Sequence, residues 1–402
     1  MSRSGLRNQA LKHLRLLLSW SALATAAACM LCLIDVSFPA LAQDDAAQHA
    51  VQLMQTGQFH DAERIWRELA QRDPKNASIH ANLALTLSQQ GEFDGAAAEY
   101  RKSLALRPNQ PEVSLNLGLA EFKQGHFAPA IAEFKAAATS GSSDGRIPVL
   151  IGMSYFGLHE YPRAIPYLQN AVKADPANQE LHGILAKSCL WSKKYDCALA
   201  EFKSLLAVNP DSVQVHMMMA EALDATNQKP QAIEELETAE RSSPAEPMLH
   251  FELGYLYYTQ HDYEKAAPEL ELEIKNNPGY ALAYTYLGDI AFHKNDDATA
   301  QSLLEKAIHL QADLRLAYFD LGCVYADQKR NQDALAAFLR AEKLDPSQPD
   351  AHYRLARVYL ALDQKQKANE EFARTRNLHA KTEESLIEKV SGSAASTPKQ
   401  TE

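Results

Sequence analysis

The stretch ELGYLYYTQHDYEKAAPEL, Glu252 to Leu270, sets four tyrosines and a histidine among small and apolar residues. Its deciding positions are Gly254 and Ala266. Stepping 34 residues at a time from Ala266 meets alanine at ten places, from Ala62 to Ala368, without a slip. Twelve residues before each alanine stands another small residue: Ala50, Ala84, Gly118, Gly152, Ala186, Ala220, Gly254, Gly288, Gly322 or Ala356. Four residues after it comes a large apolar one, from Trp66 and Tyr100 through Phe134 and Phe202 to Phe338 and Phe372. Proline closes seven of the ten units, at Pro74, Pro108, Pro176, Pro210, Pro244, Pro278 and Pro346. A fixed period of this length is the mark of a stacked repeat architecture.

The pattern resembles the tetratricopeptide repeat family, in which each 34-residue unit is a pair of antiparallel helices. The resemblance covers 43–382, and it implies an all-α, right-handed superhelical solenoid of ten helix-turn-helix repeats. Departures are local: Ser142, Ala312 and Ala380 replace the closing proline, and Lys229, Asp297, Asn331 and Lys365 replace the aromatic usual at position 17. The physics points the same way independently. Positions 4, 7, 8 and 11 of each unit are mostly apolar or small, an amphipathic helical spacing. Small residues at positions 8 and 20 let two helices approach closely. Each unit buries its face only against its neighbours. After the tenth unit, Leu386, Ile387 and Val390 share one face, so a capping helix is expected over 383–391, with a disordered tail over 392–402. TSGSSDGRIP, between units three and four, is the seam where a bend is expected.

The first residues differ from the rest. Arg3, Arg7, Lys12 and Arg15 precede an apolar run from Leu16 to Ile34, and small residues then lead into QDD. That order reads as a secretory signal over 1–42, cleaved between Ala42 and Gln43, with retention as an N-terminal anchor as the alternative. Either outcome exports the repeats, to the periplasm or beyond, and cleavage would leave nothing inserted in the membrane. Removing four basic residues and one acid shifts the formal net charge from −11 to −14. Such a surface repels phosphate backbones, so nucleic acid is excluded as a partner class. The array itself holds Cys189, Cys197 and Cys323, too few for a disulfide framework.

Several signals look chemical. Gly141 to Gly145 reads G-x-S-x-G, but a hydrolase nucleophile needs a strand before it and a helix after it, and Ser143 falls in an inter-helix loop. His80, His182, His216, His250 and His352 all occupy position 4 of their units. Equivalent points on neighbouring units lie roughly 10 Å apart, too far to share one zinc ion, so these are read as packing residues. Cys189 and Cys197 stand at positions 11 and 19, from which their Cβ vectors are expected to diverge. Asn76 begins an N-x-S sequence that matters only in a eukaryotic secretory pathway. The reading is of no enzyme, no cofactor and no metal.

Binding is the remaining class. At 100° per residue, positions 5, 9 and 12 form a stripe beside the packing positions, with 2 and 13 next to it. The resemblance implies that this stripe lines a concave groove for partner segments. In the first five units it carries Leu119, Phe122, Met153, Phe156 and Trp191. Met217, Glu221, Asp224, Phe251, Tyr255 and Tyr258 continue it, followed by Asp289, Phe292, Phe319 and Tyr353. Tyr257 and Tyr263 are assigned to packing. Units six to nine offer only acids at groove positions, with Glu252, Asp320 and Asp327 completing the set, whereas units two to five mix Glu112 and Glu180 with Lys123, Arg146 and Lys187. The partner expected is a protein or peptide segment with apolar anchors and basic flanks. Position 5 is never Lys and position 9 never Asn, so the family's clamp for acidic C-terminal peptides is not expected. The reading is therefore an exported interaction scaffold resembling envelope-assembly adaptors. The alternative is a structural subunit or homo-oligomer that uses its convex or end surfaces.

Overall fold

A computed structural model describes residues 43–394, and every element in that range is a helix. The signal segment with its cleavage point, and the last residues of the tail, lie outside the described residues. Two compact units meet in sequence at Gln228 and Lys229. The first holds α1 (Gln43–Gln55), α2 (Phe59–Arg72), α3 (Ala77–Gln89), α4 (Phe93–Leu106), α5 (Pro111–Lys123), α6 (Phe127–Thr139), α7 (Ile147–Gly157), α8 (Tyr161–Ala174), α9 (Gln179–Trp191), α10 (Tyr195–Val208) and α11 (Val213–Ala225). The second holds α12 (Lys229–Ser242), α13 (Leu249–Thr259), α14 (Tyr263–Asn276), α15 (Ala281–His293), α16 (Asp297–Leu310), α17 (Arg315–Asp327), α18 (Asn331–Leu344), α19 (Pro349–Ala361) and α20 (Lys365–Ala394). Odd helices are the first of each repeat and even helices the second. Within each unit, each helix packs on the ones before and after it.

Each hairpin reverses in the same way. The residue at position 15 is left-handed in all ten repeats: Gly57, Gly91 and Gly125, then His159, Lys193, Asn227, His261, Asn295, Lys329 and Asp363. Its own backbone N–H and that of the next residue close the first helix in a Schellman pattern; in repeat nine Lys329 donates to the Ala326 carbonyl and Arg330 to the Tyr325 carbonyl. Seven side chains other than glycine therefore sit where a Cβ costs about 1–2 kcal/mol. Lys329 is exposed. Lys329→Gly is expected to raise stability by about 0.5–1 kcal/mol, the strain relieved less the extra freedom of the unfolded chain. A lowered urea midpoint would contradict that.

The helices approach through the small residues. All ten position-20 alanines, Ala62 to Ala368, are 0% exposed. Opposite them the size of position 8 is matched to position 24. A Cβ added at Gly322 would stand 2.6 Å from the Phe338 ring, and one at Gly254 would stand 2.9 Å from Leu270. The same tight reversal corrects the expectation for the cysteines. Cys189 on α9 and Cys197 on α10 form a disulfide, with their Cα atoms 5.8 Å apart. The Schellman turn folds the start of α10 back over the last turn of α9, so positions 11 and 19 face one another.

The position-4 histidines are buried and act as clamps between repeats. The His80 Nδ1 meets Glu99 at 2.6 Å and its Nε2 meets the Pro74 carbonyl at 3.1 Å, joining α3, α4 and the preceding loop. His182 repeats the arrangement with Glu201 and Pro176, His250 with Glu269 and Pro244, and His352 with Glu371 and Pro346. His216 holds the Pro210 carbonyl at 2.8 Å. The closing prolines thus do more than end a helix: their carbonyls anchor the next repeat.

One further expectation needs correction. Residues 383–391 form no separate cap; α20 runs unbroken from repeat ten to Ala394. At the seam over 139–148, Pro148 opens α7, which packs on α6.

Candidate partner-binding face

The face formed by the first helices of the repeats carries the expected stripe, and it is described separately for each unit. In the first, Leu119, Phe122, Met153, Trp191, Met217 and Asp224 are half-buried, Phe156 is buried and Glu221 is exposed. Phe122 packs edge-on against Phe127, with ring centroids 5.4 Å apart. Phe156 stacks on Trp191 at 5.7 Å, and Tyr161 closes that group at 4.9 Å from Trp191. These rings fill the space between repeats four and five, so part of the stripe is inter-repeat packing.

The second unit concentrates the aromatics. Tyr286 on α15 touches Phe251, Tyr255 and Tyr258 of α13, with centroid separations of 5.9, 5.4 and 4.9 Å. Phe251 is only 7% exposed and serves the core, while Tyr255 and Tyr258 remain half-buried. The Tyr258 hydroxyl donates to Asp289 Oδ2 at 2.6 Å. Burial, then this bond to a carboxylate, raises the Tyr258 pKa, so the phenol stays a donor. His293 Nε2 lies 3.4 Å from the same Asp289 oxygen, and its ring stacks on Tyr263. Tyr263, assigned to packing from its position, in fact borders the cluster. Phe292 and Phe319 are half-buried, and Tyr353 is 43% exposed against Phe372.

Asp320 on α17 is 5% exposed, and its Oδ2 has no hydrogen-bond partner. Burial first, and then the neighbouring Asp289 charge, pushes its pKa well above the usual carboxylate range, opposed by Arg315. Arg315 pairs with Asp350, so this face is not the purely acidic surface expected from groove positions alone. Tyr286, at position 6, had no place in the stripe read at positions 5, 9 and 12, whereas Asp320, at the same position, was already counted among its acids. On the helical wheel, position 6 lies between 2, 9 and 13, and that adjacency was the available signal.

Elsewhere, Glu240, His250 and Glu269 bring ligand-type atoms within 4.8 Å of one another. Both His250 nitrogens are already engaged, which assigns this group to the repeat clamp. A depression in the first unit is lined by Arg67, His80, Glu99 and Lys102, from α2, α3 and α4. Among the described residues no helix is long and apolar enough to cross a membrane.

Profiles described as "Tetratricopeptide repeat" match 53–101, four overlapping windows over 149–314, and 350–382; one described as "TPR repeat" matches 86–125 and 323–363. Together they span more than half of the chain, which belongs to the tetratricopeptide repeat family and is in class a protein-interaction scaffold. No curated protein matches the sequence at a significant level. Among solved structures, yeast Tom70 is similar at 14% identity over 88% of this chain and 95% of that one, with a TM-score of 0.40. A MamA protein from Desulfovibrio magneticus is similar at 19% identity over 42% of this chain and 97% of its own, with a TM-score of 0.39. YrrB, described as a tetratricopeptide protein with an unusual peptide-binding site, shares 19% identity over 47% and 97%, with a TM-score of 0.38.

Proposed function

We propose that this chain is a non-catalytic scaffold that binds protein segments on the face formed by the first helices of its repeats, as an adaptor in an exported, envelope-associated assembly. The carrying observation is the half-buried cluster of Tyr255, Tyr258 and Tyr286 set beside Asp289 on one face. Apolar area flanked by polar and charged groups is what an interaction site presents. The partner is an extended or helical segment with apolar anchors and basic flanks. The basic-then-apolar order of residues 1–42 supports export, as does the Cys189–Cys197 disulfide, since such bonds persist in oxidising compartments.

A structural role through the opposite surface is the second reading. It draws on Val208, Leu272 and Leu339, exposed apolar residues on α10, α14 and α18. Isolated exposed apolar residues are ordinary, so this reading ranks below the first.

Affinity capture from an extract of the source cells tests the proposal, comparing the full chain with Tyr255→Ala/Tyr258→Ala after both are shown to melt alike. Two anchor residues of this kind are expected to cost about 2 kcal/mol or more of binding, so their partners drop out of the variant's set. Identical partner sets would return the tyrosines to packing and move attention to the opposite surface.

A further inference from the structure

The least expected group on the aromatic face is Asp320. A carboxyl 5% exposed, with a buried oxygen that no donor reaches, is costly to keep. The structure's other buried carboxyls have donors: Glu121 takes Arg101 and His126, Glu371 takes His352 and Arg374, and Glu273 takes Asn277. Asp289, on the preceding repeat's first helix, is 8% exposed and receives Tyr258. It lies close enough for its charge to act on Asp320. The two carboxyls thus sit as neighbours on the tyrosine face, and one lacks any hydrogen-bond donor.

The surrounding cations do not complete the pair. Arg315 is the nearest, but its bond goes to Asp350 and its own Nε is buried without an acceptor. Arg354, on α19, is exposed, and its charge acts on the Cys323 thiol. Cys323 itself is a buried thiol pushed up to about 12 by burial, so it supplies no charge. His293 faces Asp289 from the exposed end of α15. Asp289 and Asp320 thus stand with Tyr258 and Tyr286, and neither Arg315 nor His293 donates a hydrogen bond to Asp320.

Acid oxygens beside tyrosine faces suit an organic cation, through charge-assisted hydrogen bonds and ring attraction together. Resting on the groove reading above, we propose that Asp289 and Asp320, beside Tyr258 and Tyr286, form the subsite that receives the charged head of a lysine or arginine from the bound segment. Burial and the Asp289 charge favour the protonated form of Asp320 in the empty protein, and an arriving ammonium or guanidinium favours the ionised form, the proton leaving to solvent. Binding therefore carries its own pH signature. Affinity rises with pH through the elevated Asp320 value, because the bound state holds one proton fewer.

A random dodecapeptide library displayed on phage is the probe, panned on the full chain, on Asp289→Asn/Asp320→Asn, on Asp320→Asn alone, and on Tyr255→Ala/Tyr258→Ala. Thermal melts of each variant establish that it is folded. The expected result is enrichment of Lys or Arg beside apolar residues on the wild type. In the double Asn variant that enrichment falls to library frequency while apolar residues stay enriched. A peptide selected on the wild type should bind the double variant roughly tenfold or more weakly, the scale of one charge-assisted hydrogen bond. It should also bind the wild type more tightly at pH 8 than at pH 5, and Asp320→Asn without that slope. Lys or Arg enrichment that survives in the double variant, or apolar but neutral peptides on the wild type, would overturn the subsite and leave the groove standing. Selections indifferent to Tyr255→Ala/Tyr258→Ala would overturn the groove reading itself.

Discussion

Truncating Phe338 to alanine is expected to destabilise the C-terminal unit by about 3–5 kcal/mol, the usual cost of deleting a buried aromatic ring. Phe338 is 0% exposed and fills the space left by the missing side chain of Gly322. It also packs edge-on against Phe319, at 5.7 Å between centroids, so the deletion loosens a ring of the aromatic face along with the core. The pairing makes a stronger claim than the single variant. A Cβ at Gly322 would meet the Phe338 ring at 2.6 Å, so Gly322→Ala should cost about 1–3 kcal/mol in the wild-type chain. In the Phe338→Ala background the new methyl group enters empty space, and the cost should vanish or change sign. A double-mutant cycle by urea unfolding would thus give a coupling energy of about 1–3 kcal/mol, whereas additive effects would refute the matched pair.

Replacing His250 by glutamine is expected to give the second large effect, and one that depends on pH. Nδ1 faces the Glu269 carboxylate and Nε2 faces the Pro244 carbonyl, so the ring has acceptors on both sides. Only the imidazolium supplies two donors. Burial pulls the His250 pKa down, but Glu269, the Pro244 carbonyl and Glu240 outweigh it, and the folded value is raised above 6.5. Glu269 is raised as well, by burial and by Glu240, which also favours the protonated pair. A raised folded pKa contributes stability that is fully present below the unfolded value and lost as pH rises through the folded one. The wild type should therefore exceed His250→Gln by about 1.5–3 kcal/mol near pH 6, the scale of a hydrogen bond to a charged group. The gap should narrow toward pH 9. A gap that stays constant or widens with pH would rule out the charged clamp.

Much of the fold was legible because the repeat fixes phase at every turn of helix. The alanines at position 20 and the small residues at position 8 are where two helices touch, and the helices fall in that register. The reversal at position 15 was harder to read. Glycine marks it at Gly57, Gly91 and Gly125, but His159, Lys193 and Lys329 adopt the same left-handed backbone with no glycine to signal it. That reversal is also why the cysteines were misread: its sharpness brings positions 11 and 19 face to face. The unbroken α20 hides in a stretch of good helix formers with no stop signal between Glu371 and Val390.

The aromatic face was legible in outline, and its packing was not. Tyr255 and Tyr258 followed from helical phase, and Asp289 joined them through the Tyr258 hydroxyl. Tyr286 was missed because the aromatic stripe was read at positions 5, 9 and 12, and at position 6 only the acids were counted. Tyr263 was misplaced because a residue at the start of a second helix can lean over the turn toward the next repeat, as its stacking on His293 requires. Phe156 and Phe251 illustrate the opposite error: their phase is right, but neighbouring repeats close over them. Phase identifies a face, and only the packing of adjacent repeats decides how much of it stays open.

The most direct measurement is site-specific photo-crosslinking of the full chain in cells of its source organism. A benzophenone amino acid would replace Tyr255 in one variant and Leu272 in another, one on the aromatic face and one exposed on α14. A discrete protein adduct from position 255, with none from position 272, is the expected result. Adducts from position 272 alone would contradict the binding face and support a structural subunit that works through its opposite surface.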